Sequence, residues 1–309
     1  MASIAAPRKG NAPPQSGADL NVSAAIPPGL KNWAGRIVGP SVEITPLPGD
    51  GGGRCYFRIS GRGLLLLAGP DAAENLAWLR IGRHLWFKGL GAPRIFEADL
   101  NRGFFILEDL GDELLTGPRD QSRLYPLAID LLAGLHRRGL DGFNTVWCHQ
   151  TKAYDAFMIR EQEIAYFLRA LISGFLKMPD LPKGVWGEAG RLARAAAPEP
   201  AARVLMHRDF QGRNLIYKQG RLYVIDWQGA RSGPAAYDLA SLLEETPYHS
   251  LSADFKDELV SLYIKSRGRG AWVKTFRQEM VLVGACRLMQ ALGAYGKLSL
   301  NGKPKFAAF

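Results

Sequence analysis

The chain holds no apolar run long enough to cross a bilayer. Its longest, residues 64–68, is five residues of Leu and Ala, where a membrane helix needs about 20. No membrane attachment is expected. Cysteine is scarce: Cys55, Cys148 and Cys286 are odd in number and widely scattered. None forms a Cys-x-x-Cys pair or is spaced with a histidine as a zinc ligand would be. Reduced thiols in a cytoplasmic protein are the expectation. Acidic residues are outnumbered, 29 against 39 Lys and Arg, for a net charge of +10, but no run of basic residues occurs. Neither nucleic acid nor a membrane surface is therefore expected as a partner. A diffuse positive surface instead favours the approach of a small anion.

Internal repeats are also missing, as is the Gly-Lys-Ser/Thr of a Walker P-loop. What remains is ordinary for a folded soluble protein, 47% hydrophobic and 22% charged. At 309 residues the chain can bury a substantial core and has room for two lobes. Residues 1–30 are rich in Ala, Pro, Gly and Ser and bury too little to offset the entropy of ordering. They read as a flexible tail without an apolar core of signal-peptide length.

The rest is organised around residues 206–229. Apolar runs at 214–217 and 222–225, separated by polar 218–221, predict a β-hairpin. A hairpin brings residues just before its first strand next to those just after its second, here Asp209, Asn214 and Asp226. That grouping suits phosphoryl transfer. One Asp can accept a proton from an attacking hydroxyl, while an Asn and an Asp, five and seventeen residues further on, hold magnesium against nucleotide phosphates. Magnesium keeps several waters, so no all-protein cage is needed. Taken singly, each residue is as well explained as a turn cap. Together, His-x-Asp, a following Asn and a strand ending in Asp make the catalytic and metal loops of kinase type.

His207-Arg208-Asp209-Phe210-Gln211-Gly212-Arg213-Asn214, Ile225-Asp226-Trp227-Gln228 and Tyr237-Asp238-Leu239-Ala240 together resemble the aminoglycoside phosphotransferase and choline kinase-like family. Within it, the His-Arg-Asp-Phe-Gln form and the run 226–234 are most similar to the bacterial cell-wall amino-sugar kinases, which phosphorylate the anomeric hydroxyl of N-acetylmuramate and N-acetylglucosamine. Protein kinases match less well, because Trp227-Gln228 follows the second Asp instead of Phe-Gly. The resemblance covers roughly residues 40–309 and is strongest over 204–245.

It implies an α+β, bilobal protein-kinase-like fold, with a small sheet-bearing N-lobe over 31–110 and a larger, mainly helical C-lobe over 111–309. ATP and Mg2+ are the implied cofactors, with a nucleotide and a small-molecule acceptor as partners of a monomer or weak homodimer. Asp209 is the expected base, with Asn214 and Asp226 the metal ligands. Gln211, Arg213, Gln228 and Arg231 are candidates for the sugar or its carboxylate, since Arg suits a carboxylate by its bidentate geometry. His207 and Arg208 are expected to buttress the loop, and Asp238 to stabilise the loop or a helix start.

In the N-lobe, strands at 42–44 and 55–59 flank a glycine-rich turn in which Gly51 and Gly52 would let the backbone approach the phosphates. The third strand, 63–68, lacks the lysine that kinases place there. Arg54 and Arg58 lie on the second. Arg58 is expected to reach the phosphates or Glu74, in the first turn of a helix over 71–90. A strand at 103–107 runs into Glu108-Asp109-Leu110-Gly111, a junction of the kind at which kinase-like folds offer backbone groups to adenine, here at Glu108 and Leu110.

Further helices are expected over 122–138, 154–175, 185–197, 237–245, 255–266 and 276–292. Residues 154–175 carry Glu161 and Glu163 in a segment that helps build the acceptor site in relatives. Two alternatives stay open. A phosphotransferase for a cationic aminoglycoside or choline-like amine needs an acidic acceptor site, for which Glu161, Glu163, Glu244 and Glu245 are available. A nucleotide-binding pseudokinase acting as an interaction module is motivated by the missing strand lysine.

Overall fold

The computed structural model describes residues 25–48, 53–117, 121–199, 202–244, 251–303 and 306. Most of the expected tail, the turn residues Gly51 and Gly52, and Glu245 lie outside the described residues.

Five antiparallel strands form the first sheet: β1 (Ile44–Pro46), β2 (Cys55–Ile59), β3 (Leu64–Ala68), β4 (Ile95–Asp99) and β5 (Phe104–Glu108), in the order β1-β2-β3-β5-β4. The unbroken apolar run of β3 has a simple cause: both faces of the sheet are covered, so neither alternate set of side chains can be polar. Phe57, Ile59, Leu66, Phe104 and Ile106 pack with Leu30, Trp33 and Ala34 of α1 (Leu30–Val38), while Leu67, Phe105 and Leu107 join the main core on the other face. Neither α1 nor the half-exposed edge strand β4 was expected. The first is short, and the second alternates too weakly to stand out.

On the main-core side lies α2 (Ala72–Phe87), capped by Asp71, whose carboxylate accepts the Glu74 N–H at 2.8 Å. Its start is pinned to the sheet. Gly69 N–H donates to Gly103 O at 2.9 Å and Asn75 Nδ2 to Gly69 O at 2.8 Å. Gly103 has φ 68°, and a Cβ there would lie 2.1 Å from Gly69 O, so only glycine fits.

Beyond the linker the chain is mainly helical: α3 (Gln121–Arg138), α4 (residues 156–175), α5 (Val185–Ala196), α6 (Ala235–Leu243), α7 (Ala253–Arg267) and α8 (Val273–Leu300). α4 differs from the amphipathic α-helix expected, because Ile159–Ile164 and Leu168–Phe175 are π-wound, and such wide turns cannot be read from a 3.6-residue period. Two small sheets carry the loops of interest. β6 (Val204–Met206) pairs with β9 (Arg231–Gly233), setting Met206 opposite Arg231. β7 (Leu215–Lys218) and β8 (Arg221–Val224) form the expected hairpin, closed by Gln219 and Gly220 at φ 50° and 84°, as a two-residue turn with the twist of its strands requires. Among the described residues, no helix is long and apolar enough to cross a membrane.

Candidate active site

β6 is buried along its length and delivers His207 and Arg208 to the front of the C-lobe. Arg208 has φ 79°, a left-handed conformation that costs a non-glycine residue about 1–3 kcal/mol. Asp238, in the first turn of α6, compensates: its carboxylate accepts the N–H of His207 at 2.7 Å and of Arg208 at 2.8 Å. Behind it, His136 Nε2 lies 3.1 Å from Asp238 Oδ2, and His136 Nδ1 lies 2.7 Å from the Tyr263 hydroxyl. Burial pushes the His136 pKa down and that of Tyr263 up. A neutral imidazole donating from Nε2 and accepting at Nδ1 satisfies both contacts. His207, Arg208 and Asp238 thus form the buttress their positions implied.

The loop then turns at Asp209. Its backbone carbonyl accepts Gln211 N–H and Asn214 Nδ2, each at 2.9 Å. This fixes the Asn214 amide with its nitrogen engaged and leaves its oxygen as the atom able to meet a cation. Ile225 N–H donates to Asn214 O at 3.0 Å, so the residue preceding Asp226 is bonded to Asn214 itself. The three residues singled out by spacing are brought together.

Asp226 is held at φ 63°, and Gln228 Nε2 donates to its Oδ1 at 2.7 Å. Next to it the Trp227 ring stacks on Trp78 of α2, centroids 4.9 Å apart, and its Nε1 donates to Trp78 O at 2.8 Å. Gly82, one turn on, makes room for that ring, since a Cβ there would approach it to 2.6 Å. Glu74, Trp78 and Gly82 recur every fourth residue and share one face of α2.

Arg54, and not Arg58, turns towards Glu74. Arg54 Nη2 lies 3.0 Å from Glu74 Oε1, Nη1 lies 3.9 Å from Asp226 Oδ1, and the side chain is only 7% exposed. Its Nε is buried without a hydrogen-bond acceptor among the described residues, which leaves a donor for an incoming anion. Arg58 is corrected accordingly: it grips the linker, donating to Asp109 at 2.6 and 3.1 Å and to Asp112 at 2.8 Å. This contact holds the Asp112 carboxyl below its ordinary pKa. Glu108 is bound by Lys218 Nζ at 2.8 Å, which also donates to Asp109 O at 2.8 Å, and Leu110 is buried. The Glu108 carboxylate is thus taken by Lys218, and the Glu108 N–H donates to Arg94 O at 2.9 Å.

On the acceptor side the candidates separate. Gln211 is buried and Arg213 exposed. Gln228 Oε1 is buried without a donor among the described residues. Arg231 is 1% exposed. Its Nε donates to Gly229 O at 2.9 Å, its Nη1 to Thr151 Oγ1, and its Nη2 to Gln150 Oε1 at 3.1 Å. Burial, with the charge of Arg208 alongside, pulls its pKa down to about 10. Gln150 and Thr151 escaped sequence reasoning; they sit in an irregular loop with no periodic signal. The acidic residues that a cationic acceptor would need are engaged elsewhere. Glu161 pairs with Arg160 and Arg169, and Glu244 with Lys256. Glu163 is fully buried under the Tyr154 hydroxyl, which donates to it at 2.5 Å, and burial raises its pKa.

No cluster of three or more His, Cys, Asp or Glu suited to a metal occurs among the described residues. A cation here would rest on the Asn214 oxygen and the Asp226 carboxylate, with water and phosphate completing its shell. That donor set fits magnesium and is too oxygen-rich and too sparse for a structural zinc.

Residues 43–275 match the sequence pattern described as the phosphotransferase enzyme family. A curated relative from Pseudomonas putida, named N-acetylmuramate/N-acetylglucosamine kinase, is 26% identical over 281 residues, covering 86% of this chain and 80% of its own. One of the same name from Caulobacter vibrioides is 27% identical over 297 residues, covering 87% of this chain and 76% of its own. Among solved structures, a choline/ethanolamine kinase family protein from Mesorhizobium loti superposes with a TM-score of 0.61 at 20% identity, covering 93% of this chain and 87% of that one. The likeness extends over both the sheet-bearing and the helical lobe, giving the bilobal kinase-like fold.

Proposed function

The chain belongs to the phosphotransferase enzyme family, and from that membership we propose that it transfers the γ-phosphate of ATP to a hydroxyl of an N-acetylated amino sugar, at the anomeric position. One observation carries the chemistry: Asn214 binds the Asp209 carbonyl through its side chain and Ile225 through its own carbonyl, so base and metal ligands form one hydrogen-bonded unit. The sugar is supported by the relatives that bear that substrate in their names.

In this reading the acceptor hydroxyl approaches Asp209. As its oxygen forms the new bond to the γ-phosphorus, the bond from that phosphorus to the bridging oxygen of ADP breaks, and the hydroxyl proton passes to the Asp209 carboxylate. Asn214 and Asp226 would hold magnesium, which when bound neutralises charge on the phosphates. Arg54, anchored by Glu74, stands in for the missing strand lysine as the cation for the nucleotide phosphates. Gln228 orients Asp226 and keeps its own carbonyl oxygen for an acceptor hydroxyl.

The alternatives draw less support. A cationic acceptor finds Glu161, Glu163 and Glu244 already committed. The pseudokinase rested on an absent cation that Arg54 supplies. The test is product analysis. Incubation with ATP, magnesium and N-acetylglucosamine or N-acetylmuramate is expected to give a product that has lost its reducing end, with phosphorus coupled to the C1 proton by NMR. Phosphate on another carbon would refute the anomeric assignment, and turnover of choline-like amines alone would refute the sugar.

A further inference from the structure

Arg208 and Arg231 do not pair with a carboxylate. Among the described residues neither guanidinium has an ion-pair partner, although Arg208 immediately precedes Asp209 and Arg231 opens β9 opposite Met206. Instead they share one neutral atom, Gln150 Oε1, which accepts from Arg208 Nη1 at 3.0 Å and from Arg231 Nη2 at 3.1 Å. Gln150 is exposed, Arg208 half-buried and Arg231 buried. Two adjacent positive charges partly out of water are costly, and the carboxylates of Asp209 and Glu163 act on them only from beyond ion-pair distance. A pure brace is better served by Glu at position 150, whose carboxylate would neutralise both. The fold keeps a neutral amide there. The remaining Arg231 donors are fixed by Gly229 and Thr151, and the Met206–Arg231 register of β6 and β9 holds the pair beside the catalytic loop. The arrangement is a preorganised anion receptor whose exposed cover is a single side-chain oxygen.

We propose that Arg208 and Arg231 receive the carboxylate of an acidic acceptor sugar, and that Gln150 Oε1 occupies the position of its oxygen until the acceptor displaces it. The assignment rests on the amino-sugar reading above and deepens it. An acidic N-acetyl sugar gains two charge-assisted hydrogen bonds that its neutral counterpart cannot make. The site selects between acceptors and performs no chemistry, so Arg208 and Arg231 are specificity residues.

The experiment compares kcat/KM for N-acetylmuramate and N-acetylglucosamine on the full chain with magnesium and ATP. The wild type is expected to favour the acidic sugar at least tenfold, less so as salt is added. Gln150→Glu, which tethers a carboxylate between the guanidiniums from an exposed position, is expected to lower that ratio at least tenfold and to raise Tm. Arg231→Gln should lower the ratio in the same direction. If Gln150→Glu leaves the ratio unchanged, or changes only the KM for ATP, the pair is a brace or a nucleotide contact and the proposal is overturned. Turnover of both sugars with an unmoved ratio overturns this assignment alone. Turnover of neither overturns the amino-sugar reading and this assignment with it.

Discussion

Arg54 and Arg58 stand four residues apart, Arg54 just ahead of β2 and Arg58 within it, and strand alternation alone cannot choose between two residues an even number apart. Antiparallel register does. Cys55 is opposite Ala68, the last residue of β3 before α2, whereas Arg58 is opposite Leu65, which faces Leu107 next to the linker. At about 3.3 Å per residue the two guanidiniums are carried to opposite ends of the cleft. Arg54→Ala is therefore expected to raise the KM for ATP at least tenfold and lower kcat by about 10–100-fold, in the range of lost transition-state donors. Arg58→Ala, losing a partly exposed pair worth roughly 1 kcal/mol, should leave both within about threefold. Steady-state kinetics on the two variants decide it, and the reverse pattern would restore Arg58 to the phosphates. The same contrast marks how far sequence alone reaches. Asp209, Asn214 and Asp226 were legible because one hairpin joins them within a short stretch. Arg54 with Glu74, and Gln150 with Arg208 and Arg231, were not, since their meeting depends on strand register and on a loop some 60–80 residues away.

α2 is legible as a helix from its apolar spacing, yet its purpose lies in a face that spacing does not distinguish. Glu74 anchors Arg54, Trp78 stacks on Trp227, and Gly82 admits that ring next to Asp226, the proposed metal ligand. Adding a methyl at Gly82 improves helix propensity by about 1 kcal/mol. It also forces a carbon to 2.6 Å from a buried indole, and overpacking of that kind costs about 1–3 kcal/mol and sometimes more. The second effect is expected to win. Gly82→Ala should lower the urea midpoint and, by shifting Trp227 and with it Asp226, reduce kcat by about 10²-fold. An equally stable, fully active variant would show that α2 does not position the Asp226 loop. The π-wound turns of α4 escaped the sequence for a related reason: they answer to packing. Gly293 and Gly296 of α8 lie so close to α4 that a Cβ on either would come within 2.9 Å of it.

At the scale of the whole molecule, the order of elements, a glycine-bearing antiparallel sheet, a linker and then helices around a hairpin, was enough to give the two-lobed fold. Contacts among the described residues that set the cleft between the lobes include Arg58 on the linker acids, Lys218 on Glu108, and Trp78 on Trp227. None of them names the acceptor; the residues proposed to choose it, Gln150 in an irregular loop and Arg231 at the start of β9, have a local sequence that carries no period and no spacing. The central claim is that this cleft is a working phosphotransferase site with Asp209 as its base. It is tested most directly by the turnover of Asp209→Asn, measured with ATP and an amino sugar alongside the Kd for ATP on the same protein. Loss of about 10²–10⁴-fold in kcat, with Kd within about threefold of wild type, is the predicted result. Turnover within tenfold of wild type would contradict it and place the base elsewhere.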